Sequence, residues 1–156
     1  MKKILVALDC SPASRRAAAY TAEIVPSLPD CSVTLFAVLT GVPYGEEVLT
    51  ELLGPEEIEL HGDDDHRQEL AVVQRVLSDA ARLFQDRRFP IERLKLVTKP
   101  LRRGIAQDIL DEAQSRGCDT IVVGRRGLSM MKQVVLGSVS RDVIQKAEDL
   151  AIWVID

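Results

Sequence analysis

Thr120-Ile121-Val122-Val123-Gly124-Arg125-Arg126-Gly127 is followed, nine residues on, by Gly137-Ser138-Val139-Ser140. The first four residues have the composition of a strand covered on both faces, the situation of a central parallel strand. Outward from it the same signal recurs. Lys3 to Leu8 and Ser32 to Leu39 are β-branched and aliphatic runs that predict a first and a second strand. Ile91 to Thr98 alternates imperfectly between apolar and charged residues and predicts a third, at the edge of a sheet. Ala151 to Ile155 predicts a fifth. Helical patterns fall between them. Ser11-Pro12 sets a capping hydroxyl before a proline suited to the first helical position, and that helix ends near Pro26. From Arg67, Leu70, Val73, Leu77, Ala80, Ala81 and Phe84 form one face of a long helix closed by Arg87 and Arg88. Ile105 to Arg116, stopped by Gly117, and Ser138 to Lys146 complete the series. The order βαβαβαβαβ predicts an α/β protein with a parallel sheet and helices on both faces, because each parallel crossover is right-handed and must carry a helix across.

The 156 residues suit one domain spanning 1–156, and no internal repeat is visible. Residues 40–66 carry Gly41, Pro43, Gly45, Gly54, Pro55 and Gly62, which predicts an irregular surface excursion with one short helix around 46–53. The net charge of -4 is unevenly spread: residues 46–69 hold ten of the 24 acids and a single base, Arg67. A chain acidic overall, with no basic stripe interleaved with aromatics, is a poor duplex binder, so no nucleic-acid partner is expected. The longest apolar run, Leu150 to Ile155, is far short of the ~20 residues of a membrane span, and no membrane partner is expected. Met1-Lys2-Lys3 leads into too short an apolar run for a secretion signal. Cys10, Cys31 and Cys118 are odd in number and lack metal-binding spacing, which points to a reducing, cytoplasmic compartment.

The chemistry concentrates in G-x-x-G-x9-G-S-x-S, from Gly124 to Ser140. Glycines let backbone approach a phosphate and permit positive φ, while a helix N-terminus offers unpaired N–H groups and the positive end of a dipole. The hydroxyls of Ser138 and Ser140 add donors. Neither G-x-G-x-x-G after the first strand nor G-x-x-x-x-G-K-[ST] occurs, which removes two common nucleotide motifs. His61-Gly62-Asp63-Asp64-Asp65-His66 reads as a solvated charge run, and no metal site is assigned. Cys10 beside Asp9 reads as a packing residue, since a neighbouring carboxylate raises a thiol pKa. No His, Glu or Asp lies between Gly124 and Arg141, so no catalytic residue is assigned.

The motif after the fourth strand, with an aspartate closing the first, resembles the ATP-binding branch of the universal stress protein family over nearly the whole chain. The resemblance implies a three-layer αβα fold whose five-stranded parallel sheet has the order 3-2-1-4-5, with the ligand at the switch point beside strands one and four. It implies ATP; Mg²⁺ held by the phosphates and Asp9 would permit slow turnover. Ala7 and Asp9 would take the ribose and adenine edge, and the Val38 backbone would read adenine. Gly124, Gly127, Gly137, Ser138, Val139 and Ser140 would hold the phosphates, and Arg126 would face them. It further implies a homodimer through strand five and a role as a nucleotide-dependent stress-response regulator. Two alternatives stand beside this: a nucleotide-free homodimeric interaction module, and a slow ATP hydrolase.

Overall fold

The computed structural model of the protein describes residues 1–127 and 136–156, so the middle of the loop between Gly127 and Gly137 lies outside the described residues. The elements in chain order are β1 (Lys2–Ala7), α1 (Pro12–Ile24), β2 (Cys31–Leu39), α2 (Glu46–Leu52), α3 (Gly54–His61), α4 (Asp65–Asp86), β3 (Leu94–Pro100), α5 (Ile105–Ser115), β4 (Thr120–Gly124), α6 (Ser138–Lys146) and β5 (Ala151–Ile155). All four strand pairings are parallel and the order is β3-β2-β1-β4-β5, as expected. Neighbouring strand residues feed opposite layers, because side chains alternate across a sheet. Val6 packs with Ala17, Leu77 and Phe84 in the layer of α1 and α4. Leu5, one residue earlier, packs with Phe36, Ile109 and Val143 in the layer of α5 and α6.

Three expectations change. Ile91–Arg93 is a single 3-10 turn, with Ile91 exposed, and the third strand starts at Leu94 opposite Val33 and runs on to Pro100. A proline closes it without cost to the ladder because β3 is an edge. The acidic excursion holds the expected short helix as α2, and where irregular chain was expected after it a second helix, α3, follows. Gly54-Pro55, read as a breaker, opens α3 instead, since proline suits the first turn where its missing N–H would be unpaired in any case. Glu56 and Glu57 then lie at the positive end of the α3 dipole, and the Arg75 guanidinium of α4 pairs with Glu57 at 3.3 Å. Leu53 between the two short helices is buried. The Asp63-Asp64-Asp65 run contains a helix cap: the Asp64 carboxylate accepts from the N–H groups of His66 (3.1 Å) and Arg67 (3.2 Å), which starts α4 two residues before the expected Arg67.

β4 ends in close contact with the first turn of α1. A β-carbon on Gly124 would lie 2.7 Å from the Ala13 carbonyl carbon and 2.8 Å from the Ser14 nitrogen, both backbone atoms that cannot swing aside. Gly124→Ala should therefore force strand and helix apart and cost about 1–3 kcal/mol. Gly127→Ala, where the nearest described atom is the Asp9 carboxylate at 3.2 Å, should be nearly neutral. Thermal unfolding of the two variants side by side checks this, with a clear fall in Tm expected for the first alone.

Candidate functional site

β1 and β4 are neighbours whose following loops leave toward opposite layers, α1 on one side and α6 on the other, so a cleft opens at their C-terminal ends. Its volume is about 540 Å³. The loop after β1 is built by its own side chains. Asp9 Oδ1 accepts from the Ser11 N–H at 2.8 Å, and the Asp9 N–H donates to Ser14 Oγ at 2.9 Å. Ser11 caps α1 by accepting from the Ser14 N–H at 3.1 Å, and its hydroxyl donates to the Arg126 carbonyl at 3.3 Å. Through Ser11 the loops after β1 and β4 are joined. Asp9 Oδ2 is left facing Gly127, 3.2 Å from where a β-carbon there would stand.

The second wall is the loop after β4 and the start of α6. The Gly137 N–H donates to the Arg125 carbonyl at 2.8 Å, and a β-carbon on Gly137 would press on that carbonyl and on the Arg126 α-carbon, each at 3.2 Å. Gly137 thus lets the helix start lie against the loop. The first intrahelical bond runs from the Arg141 N–H to the Gly137 carbonyl, so the N–H groups of Ser138, Val139 and Ser140 have no acceptor within the helix. The Ser140 hydroxyl is buried and donates to the Gly124 carbonyl at 2.6 Å. Its single proton is committed to the fold, and only its backbone N–H remains for a ligand. Arg126 Nε is buried and has no acceptor among the described residues. None of the three motif glycines adopts positive φ; Gly124 and Gly137 are needed for space against backbone, and Gly127 faces only the Asp9 carboxylate.

On the far side of β1, β2 extends past its neighbour. Ala7 is paired with Phe36, and the Phe36 carbonyl accepts from the Leu8 N–H at 2.8 Å. Backbone groups two residues apart in a strand point the same way, so Val38 turns its N–H and C=O toward the β1 side beyond the last residue of β1, over the cleft.

Nine of the ten positions singled out from sequence line this cleft: Ala7, Asp9 and Val38 at the ends of β1 and β2, Gly124, Arg126 and Gly127 after β4, and Ser138, Val139 and Ser140 at α6. Gly137 supports the wall from behind. Sequence reasoning missed the segment 40–45, of which Thr40, Val42, Pro43 and Tyr44 line the same cleft. It is held by Glu69 of α4, a carboxylate only 2% exposed that accepts from the Thr40 N–H (2.6 Å), the Thr40 hydroxyl (3.2 Å) and the Gly41 N–H (3.1 Å). A signal existed: Glu69 precedes Val72, Val73 and Val76 by three, four and seven residues, a core-facing position occupied by an acid. Tyr44 turns its hydroxyl to the Cys10 thiol, whose pKa burial pushes up to about 11, with the Tyr44 contact opposing the rise and Asp9 adding to it. Cys10 is therefore protonated and a poor nucleophile at neutral pH. Converging N–H donors and a guanidinium at one end, with Val38, Val139 and Ile105 elsewhere on the walls, suit a ligand that is flat and apolar in one part and anionic in another.

The model of the universal stress protein family matches residues 1–149 of this chain. The universal stress protein YxiE of Bacillus subtilis is 50% identical over 40 residues, which covers 26% of this chain and 27% of that protein. Among solved structures, the universal stress protein UspA from Lactobacillus plantarum is similar with a TM-score of 0.68 at 22% identity, covering 99% of this chain and 97% of the other. A universal stress protein family protein from Arabidopsis thaliana with AMP bound is similar with a TM-score of 0.67 at 20% identity, covering 99% and 91%. With its sheet order, its glycine-bounded loop and a family match over nearly its whole length, the chain belongs to the universal stress protein family.

Proposed function

We propose that the cleft binds an adenine nucleotide, specifically ATP with Mg²⁺, and that the protein is a nucleotide-dependent regulator of a stress response in the cytoplasm. The observation that carries this is the meeting of the α6 first-turn amides with Arg126 Nε, buried and without an acceptor among the described residues, in a cleft that is otherwise largely apolar. AMP bound to the Arabidopsis protein of the same fold agrees with it. The ribose hydroxyls would donate to Asp9 Oδ2, which has no partner among the described residues, and the adenine edge would pair with the outward backbone of Val38. Gly124, Gly127, Gly137, Ser138, Val139 and Ser140 would surround the phosphates. Mg²⁺ takes most of its ligands from phosphates and water, so the single Asp9 carboxylate fits it as a protein ligand. Among the described residues Asp9 is the only acid lining the cleft, which favours a binding module over a hydrolase. Free Cys10, Cys31 and Cys118 fit a reducing compartment, and no described helix is long and apolar enough to cross a membrane.

The same reading includes a homodimer through β5. β5 pairs only with β4 among the described residues, and it carries no charge and no proline. The Ala151 N–H donates to the Asp119 carbonyl and the Ile155 carbonyl accepts from the Arg125 N–H, so residues 151, 153 and 155 face β4. Ile152 and Val154 then present their backbone groups outward. An antiparallel partner copy would satisfy them by a two-fold, self-complementary pairing.

Two variants test these proposals. Gly127→Glu puts a second carboxylate beside Asp9 on the phosphate path and should abolish ATP binding by isothermal titration in a protein with an unchanged circular dichroism spectrum; unaltered affinity would place the phosphates elsewhere. Val154→Pro removes an outward N–H without touching the β4 ladder, so sedimentation should show dimer for the parent and monomer for the variant. A monomeric parent at micromolar concentration, or a dimeric variant, contradicts the interface.

A further inference from the structure

We infer that Glu69, which does not line the cleft, is the positioning residue that sets its affinity, by holding the 40–45 strap closed between α4 and Cys10; this rests on the nucleotide reading above. The strap has the form of a hinged arm. Gly41, with φ of 74°, and Gly45 bound it, and a β-carbon on either would meet nothing within 4 Å, so the segment is not fixed by packing at its ends. What fixes it is polar. Glu69 Oε1 takes the Thr40 N–H, the Thr40 hydroxyl and the Gly41 N–H, and Oε2 takes the Gly41 N–H again at 3.1 Å. Hydrogen bonds to an ionised acceptor away from water are among the strong ones, and two of these donors are backbone, so they position the chain itself. At the other end Tyr44 lies against Cys10, in the loop that also carries Asp9. Pro43 and Tyr44 between these two anchors are cleft wall. In the sheet order the strap sits above β2 and the glycine loop above β4, with β1 between them, so the strap faces a bound ligand from the side opposite the phosphate loop. Releasing it removes that wall and uncovers Cys10.

Glu69→Gln keeps the size of the side chain but replaces the charge, and turns an NH₂ group toward the Gly41 N–H or gives up one of its bonds. Two readouts separate positioning from general stability. Iodoacetamide labelling, followed residue by residue by mass spectrometry, should modify Cys10 about tenfold faster in the variant, with Cys31 and Cys118, buried elsewhere in the fold, unchanged as internal controls. Isothermal titration well below the melting temperature should show ATP bound about tenfold more weakly. Should the variant fold poorly, Thr40→Val removes a hydroxyl that donates to Glu69 and accepts from the Val42 N–H at 3.3 Å within the strap, and should move both readouts the same way by a smaller factor. Equal acceleration at all three cysteines, or an unchanged Cys10 rate with an unchanged Kd, overturns the inference. Faster Cys10 labelling in the variant of a parent protein that ATP neither binds nor protects supports the strap and sinks the nucleotide reading, so the two failures are told apart.

Discussion

Gly124 lies against the first turn of α1 at a distance no side chain could share, and the site depends on that approach. It draws the end of β4 under the loop that leaves β1. The Ser11 hydroxyl then reaches the Arg126 carbonyl, and Asp9 Oδ2 faces Gly127. On the other layer the Ser140 hydroxyl holds the Gly124 carbonyl, which fixes the start of α6, and hence its free amides, relative to the same point. Two loops and a helix terminus that would otherwise be independent are tied into one surface, built at the place where a parallel sheet of this order leaves a crevice.

Around this centre the loops are held by buried carboxylates. Glu69 holds the segment after β2. Asp108, nearly buried, accepts from the N–H groups of Arg102 (2.8 Å) and Arg103 (3.0 Å) and so shapes the loop after β3. Glu112 takes Lys99 and Arg116; burial pushes its pKa up, but these two cations outweigh burial and leave it below its ordinary value. Glu69 and Asp108 each sit on a helix packed against the sheet and reach a connecting segment, while Glu112 ties the end of β3 to the C-terminal end of α5. Packed layers thus hold the loops around the cleft, which is how open α/β proteins combine a stable core with a variable site.

Most of the sheet and the cleft is legible in the sequence because the relevant signals are local. Strands such as Lys2–Ala7 and Thr120–Gly124 hold continuous apolar runs at Ile4–Ala7 and Ile121–Val123, and α4 and α5 show one apolar face. What is not legible depends on partners far away in the chain. The short helix around 46–53 is legible, but the helix of residues 54–61 buries no residue of its own and leans on α4, so its apolar pattern is too weak to show. The strap is read only once Glu69 is placed beside it, 28 residues on from Gly41. The motif glycines are legible as a set, but their reasons are not. The expectation of positive φ gives way to close packing, and the Ser140 hydroxyl, expected at a phosphate, is bound to a carbonyl.

A nucleotide in this cleft would span the ends of β1, β2 and β4, with its anionic end at α6. Nitrogen-15 NMR of the intact protein during titration with Mg²⁺ and ATP addresses it directly, since amide shifts report each position separately. Saturable shifts are expected at Asp9, Val38, Gly124, Gly127, Ser138 and Val139, with the loop after β3 at Arg102 and Arg103 unmoved. Shifts confined to that loop, or no saturable shift at millimolar ATP, would contradict that placement.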